Sequence, residues 1–141
     1  MKIYIALEEG GGICRAPVPC RALPDGSYEI LPDDLFDYED DSQLFDFGPG
    51  DVVLAKNTSL GITKDPCLVA HQLVKSGSEK NEFKRLLFVI LEEEPDPAPV
   101  LAKYGNSLVR HLLTEGLKEG WGYPGIREWI RLHRHILEEA L

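Results

Sequence analysis

Few side chains in this chain have the type and spacing to do chemistry. Cys67 and His71 lie four residues apart. On a helix they would share a face and could form a thiolate–imidazole pair for nucleophilic catalysis, whereas on a strand they would stand roughly 13 Å apart. Ser107, in Gly105-Asn106-Ser107-Leu108-Val109, approaches a nucleophile elbow but lacks the closing glycine and falls inside a helical pattern. The other catalytic arrangement open to the chain is a carboxylate pair in a cleft between sheet and helices.

The densest feature is acidic and aromatic. Between Asp33 and Asp51, Phe36, Tyr38, Phe45 and Phe47 interleave with Asp37, Asp40, Asp41 and Asp46. Rings supply area to bury and carboxylates steer encounter, so the strip suits a surface that docks a basic protein or peptide. The competing reading turns the rings into the core and the acids outward. Asp37, Glu39 and Asp41 alternate as a calcium loop begins, but Ser42 stands where such a loop turns on glycine and Gly48 where its closing glutamate belongs.

Arg127, Arg131 and Arg134 share a helical stripe that could meet phosphates, yet Glu128, Glu138 and Glu139 dilute it, so nucleic-acid binding is a lesser alternative. His133 and His135 point to different sides of one helix, and His111 would have to come from a neighbouring one to complete a metal site. Gly10-Gly11-Gly12 lacks the glycine at position 15 of a dinucleotide loop and any following Gly-Lys-Ser/Thr, while Glu8 and Glu9 would repel phosphate. No cofactor and no metal are expected.

These residues sit in a chain of 141, enough for one domain, with 43% hydrophobic and 28% charged residues, the balance of a globular fold rather than a disordered one. Residues 1–55 hold 12 acidic and 3 basic side chains and residues 56–141 hold 12 of each, so the whole net charge of −9 belongs to the first part. That surface repels nucleic acid and attracts cationic partners. The longest apolar run, Leu86 to Leu91, is too short to span a bilayer, and no signal-peptide pattern opens the chain, so a cytoplasmic protein with no membrane partner is expected. Cys14, Cys20 and Cys67 are odd in number, and the prolines between the first two hold them apart, so reduced thiols are expected.

Alternating Ile3, Ile5 and Leu7 predict a strand. Arg21–Leu23 and Tyr28–Leu31 flank the turn Pro24-Asp25-Gly26-Ser27 as a hairpin, and Leu44–Phe47 and Asp51–Lys56 flank Gly48-Pro49-Gly50. Asp65–Gly77 reads equally as a capped helix or a strand, and Phe83–Leu91 reads as a central buried strand. After the Pro-rich Glu92–Pro99, periodic apolar residues predict one helix from Pro97 to Gly116 and another from Pro124, joined through Trp121. The expected fold is α+β: a small curled antiparallel sheet or barrel of the SH3-like or OB-like class over residues 1–92, followed by a C-terminal pair of α-helices over 93–141. The expected role is a non-catalytic interaction module for a basic partner, with a homo-oligomer contact through the C-terminal helices as a further possibility.

Overall fold

The computed structural model describes residues 1–9, 11–59, 65–118 and 123–141. Gly10, the distal part of the loop expected after Asn57 and the Trp121 connection lie outside them. The strands are β1 (Lys2–Glu9), β2 (Gly12–Ala22), β3 (Tyr28–Ile30), β4 (Gln43–Phe45), β5 (Val52–Ser59) and β6 (Pro66–Lys75). The helices are α1 (Glu79–Glu93), α2 (Pro97–Lys103), α3 (Asn106–Glu115) and α4 (Pro124–Glu139).

Five strands close a barrel in the order β1-β2-β3-β5-β6, and β4 is added on β1. All neighbours are antiparallel except the closing pair, a parallel bridge at Tyr4 and Val69. β1 is divided between two partners on that side, because its C-terminal part pairs β4 at Leu7–Phe45, Glu8–Leu44 and Glu9–Gln43. The period of two then sorts the side chains. Ile3, Ile5 and Leu7 fill the barrel with Val18, Ile30, Phe45 and Val53. Leu44, on the other face of β4, joins the helical core of Leu86, Ile90, Leu112, Ile126, Trp129 and Ile130. The protein is thus an α+β barrel with a helical layer, built around two apolar clusters.

Two expectations about elements need correction, and one left open is resolved. Phe83–Leu91 is the body of α1 rather than a strand: Ser78 caps this helix, its hydroxyl accepting from the Asn81 amide at 3.1 Å. The run is apolar without interruption because α1 is wedged between barrel and helices, so most of its circumference is covered. Asp65–Gly77 resolves as β6, paired along β5 with two register shifts. The single helix expected from Pro97 to Gly116 is two, because Tyr104 is extended (φ −108°, ψ 142°) and Gly105 leads into α3. Four helices among the described residues therefore follow the strands, where a C-terminal pair was expected.

The barrel and α1 are joined by a buried polar junction. Asp51 is fully buried, and its carboxylate accepts from the Gly48 and Gly77 amides at 2.7 Å each, from Asn81 Nδ2 at 3.1 Å and from Arg85 Nη1 at 2.8 Å. Arg85 also donates to the Asp46 carbonyl at 2.7 Å, and Asn81 to that of Pro49 at 2.8 Å. Gly77 must lack a side chain here, since a Cβ would come within 2.3 Å of the Gly50 carbonyl carbon. One turn of chain later, Lys84 Nζ donates to the carbonyls of Asp40 and Gln43 at 2.7 Å each.

Removing one partner of a buried ion pair strands the other charge, at a cost of about 3–5 kcal/mol. Asp51→Ala should accordingly lose stability of that order in urea denaturation. Arg21→Ala, which breaks the exposed Arg21–Glu29 pair, should leave the midpoint nearly unchanged.

Candidate functional site

The four rings of the acidic strip do not form one outward surface. Phe45 and Phe47 are buried, Phe45 completely. Phe36 and Tyr38 are half-buried and meet Phe45 edge-on, with ring centroids 5.1 and 5.9 Å apart and planes at 76° in both pairs. Phe45 follows the inner face of β4, and Phe47 lies under the Arg85 guanidinium at 5.9 Å. Three of the rings thus serve the barrel core or its junction. Of the four, Tyr38 also borders a surface groove, its hydroxyl bonded to Asn81 Oδ1 and Lys80 Nζ lying 5.7 Å from its ring.

Much of the acidity of this strip serves its own backbone. Asp33 accepts from the Leu35 amide at 3.0 Å, Asp37 from Glu39 at 3.0 Å, and Asp40 from Ser42 at 2.9 Å, three successive side-chain turns that shape a segment without regular structure. The Ser42 hydroxyl and amide hold the Asp40 carboxyl below its ordinary range. Glu39 and Asp41 remain exposed.

These two carboxylates border a groove of about 800 Å³ between the 38–41 segment, α1 and α3. Phe83, Leu87 and Leu108 form its apolar floor, and His111 meets the Phe83 ring edge-on at 4.3 Å. Glu79 extends the acidic lip. On the α3 side stand Arg110 and Glu115, whose carboxylate takes two 2.9 Å bonds from Lys118. Lys84 also borders the groove, but its ammonium is spent on the two backbone carbonyls; burial lowers its pKa against the pull of Asp41, Asp40, Asp37 and Glu39. Sequence reasoning reached the acidic lip but not the floor, because Phe83, Leu87 and Leu108 converge only once α1 is a helix.

No protein-family model, no curated protein and no solved structure matches this chain. The reading therefore rests on the groove and the remaining candidates.

Cys67 and His71 lie on β6, so the strand separates them by roughly 13 Å and no thiolate–imidazole pair forms. Cys14, Cys20 and Cys67 are all unbridged. Ser107 lies in the first turn of α3. Among the described residues no group of three or more His, Cys, Asp or Glu side chains is placed to hold a metal ion. Of the arginine stripe, Arg131 lies 3.9 Å from Glu128 and Arg134 2.7 Å from Glu138, while Arg127 donates to the Lys118 carbonyl. His133 packs on Trp129 at 4.8 Å, and His135 pairs with Glu139 at 3.0 Å.

Two acids named in the sequence, Asp46 and Glu8, lie on the outer face of the β1–β4 pair, where their contacts had no local sign. Asp46 sits opposite Ala6, and its Oδ1 accepts the Ala6 amide at 3.0 Å, extending the ladder by a side chain. Burial pushes this carboxyl up to about 7, against the opposing pulls of the Ala6 amide and Arg15. Glu8, two residues further along β1, approaches Glu92 of α1 within hydrogen-bond reach; burial, then that second carboxyl, raises its pKa. Only the strand pairing and the position of α1 reveal these contacts.

Asp46 makes stability depend on pH with a definite sign. An unfolded aspartate releases its proton near pH 3.9, whereas the folded protein keeps this one to about 7. The stabilisation from that proton is complete below about pH 4, declines as pH rises towards 7 and is gone above it. Asp46→Asn should remove this slope: its urea midpoint should exceed that of the unmodified protein at pH 8 and match it at pH 4.

Proposed function

We propose that the protein is a non-catalytic interaction module that docks a basic, amphipathic segment of a partner protein in the groove beside α1. The observation that carries this reading is the pairing of an apolar floor with an unspent acidic lip: Phe83, Leu87 and Leu108 beneath Glu39, Asp41 and Glu79. Apolar side chains of the segment would cover the floor, and its lysines or arginines would meet the lip, where the net charge of −9 also steers the approach. Of the aromatic strip only Tyr38 contributes to this groove, because the other three rings are engaged in packing.

Nucleic-acid binding loses support, since Arg131 and Arg134 are paired with acids on their own helix and Arg127 caps a neighbouring segment. Catalysis by Cys67 and His71 loses its geometry on β6. No helix of the described residues is long and apolar enough to cross a membrane. A cytoplasmic setting, compatible with three free thiols, and self-association through the exposed Leu132 and Ile136 of α4 belong to the same proposal.

The test is fluorescence anisotropy of a labelled, lysine- and arginine-rich amphipathic peptide titrated with the intact protein. Binding should weaken with added salt, fall about tenfold or more when Glu39→Lys and Asp41→Lys are combined, and strengthen severalfold with Arg110→Glu. Equal binding by the charge-reversed protein, or no binding by the unmodified one at low salt, would remove the reading.

A further inference from the structure

The groove beside α1 has two unlike walls. On one stand Glu39, Asp41 and Glu79, with Lys80 drawn over the Tyr38 ring. On the α3 wall stand Ser107, Arg110, His111 and Thr114, all exposed. The acid of that wall among the described residues is Glu115, and Lys118 bonds both of its oxygens at 2.9 Å. Among the described residues no carboxylate pairs with Arg110. Ser107, in the first turn of α3, also brings the positive end of that helix dipole to the same wall. Net negative and net positive walls thus flank the apolar floor.

The floor has a length and excludes one kind of occupant. Glu79, Phe83 and Leu87 recur every four residues along α1, so the groove follows this helix for about 12 Å, or roughly two turns. None of the described residues that border it belongs to a strand. An extended peptide would therefore find no strand edge to take up its amides and carbonyls. A helix brings its own backbone groups already paired.

We propose that the occupant of the groove is a charge-split amphipathic helix of a partner protein: apolar side chains on the floor, basic ones along the flank towards Glu39 and Asp41, and acidic ones along the flank towards Arg110. The inference rests on the docking reading above and adds the partner's second flank and its direction. Seen from its apolar face, a helix has a left and a right flank, and reversing the chain exchanges them. Walls of unlike charge consequently favour one chain direction and penalise the other. Arg110 is the residue that decides between them.

Two labelled helical peptides are titrated separately into the intact protein, with fluorescence anisotropy as the readout. Both carry leucines at i, i+4 and i+7 and lysines along one flank; the other flank holds glutamates in the first peptide and lysines in the second. Arg110 is exposed, so Arg110→Glu should fold normally. It should weaken the glutamate-flanked peptide and strengthen the lysine-flanked one, shifting the ratio of the two affinities about tenfold. Lys56→Glu, an equal change of charge at an exposed position of β5 that does not border the groove, should leave that ratio unchanged. A proline at the centre of the glutamate-flanked peptide, which breaks its helix, should cost about tenfold or more. The inference is overturned if Arg110→Glu moves both peptides in the same direction, if Lys56→Glu shifts the ratio as much, or if the proline leaves affinity unchanged. In those cases binding of the lysine-flanked peptide to the unmodified protein still upholds the docking reading, whereas binding of neither peptide at low salt removes both.

Discussion

The carboxylate of Asp51 is the constraint on which the rest depends. It is buried at the point where three pieces of chain meet: the turn before β5, the turn after β6 and the first half of α1. Taking a charge out of water costs several kcal/mol, and one opposite charge seldom compensates. Here two backbone amides, an asparagine amide and a guanidinium share that load, so the position and angle of every donor are specified at once. Gly48 and Gly77 follow from the same requirement, because their amides must reach the carboxylate and a Cβ on either would collide with the opposing chain or with Asn81. The helix is thereby docked on the barrel in one register, and Lys84 can reach the carbonyls of the acidic segment.

That docking explains why the aromatic and acidic strip is organised inward as well as outward. Lys84 and Asn81 hold the segment from Tyr38 to Gln43 against α1, which turns Phe36 and Tyr38 onto Phe45. The acids then divide by position. Those whose carboxylates reach an amide two residues ahead stabilise turns, and those between them, Glu39 and Asp41, are left along the groove. Composition alone cannot make this division, since both kinds of acid occupy one short run.

The barrel was legible because its strands alternate and its reversals carry glycine with positive φ, as at Gly26 (89°) and Gly50 (86°). The misreading of Phe83–Leu91 has a physical origin. A helix covered on most sides loses the polar stripe that reveals its period, and Phe88, Val89 and Ile90 have strand-like propensity. Ser78 with Glu79 and Glu82 in the first turn was the surviving sign of a helix start. At Asp65–Pro66 the signals conflicted in the opposite direction: residues suited to begin a helix open a strand, and pairing along β5 prevails over the local preference. Once α1 is known, the groove floor follows from helical spacing. The Glu8–Glu92 contact joins residues more than eighty positions apart and had no local sign at all.

Charge along α1 is the thread that links its two ends. In its first half the cations Lys84 and Arg85 face the barrel and are consumed by Asp51 and by backbone carbonyls. They anchor the helix and are thereby withheld from the acidic surplus of the first 55 residues. In its last turn no cation appears, and Glu92 is carried towards the buried Glu8. A helix fastened by its own basic groups at one end therefore concentrates uncompensated negative charge at the other. The same fastening fixes where that charge can act, because the half of α1 that secures the fold is the half whose buried polar groups, Asn81, Lys84 and Arg85, are already occupied.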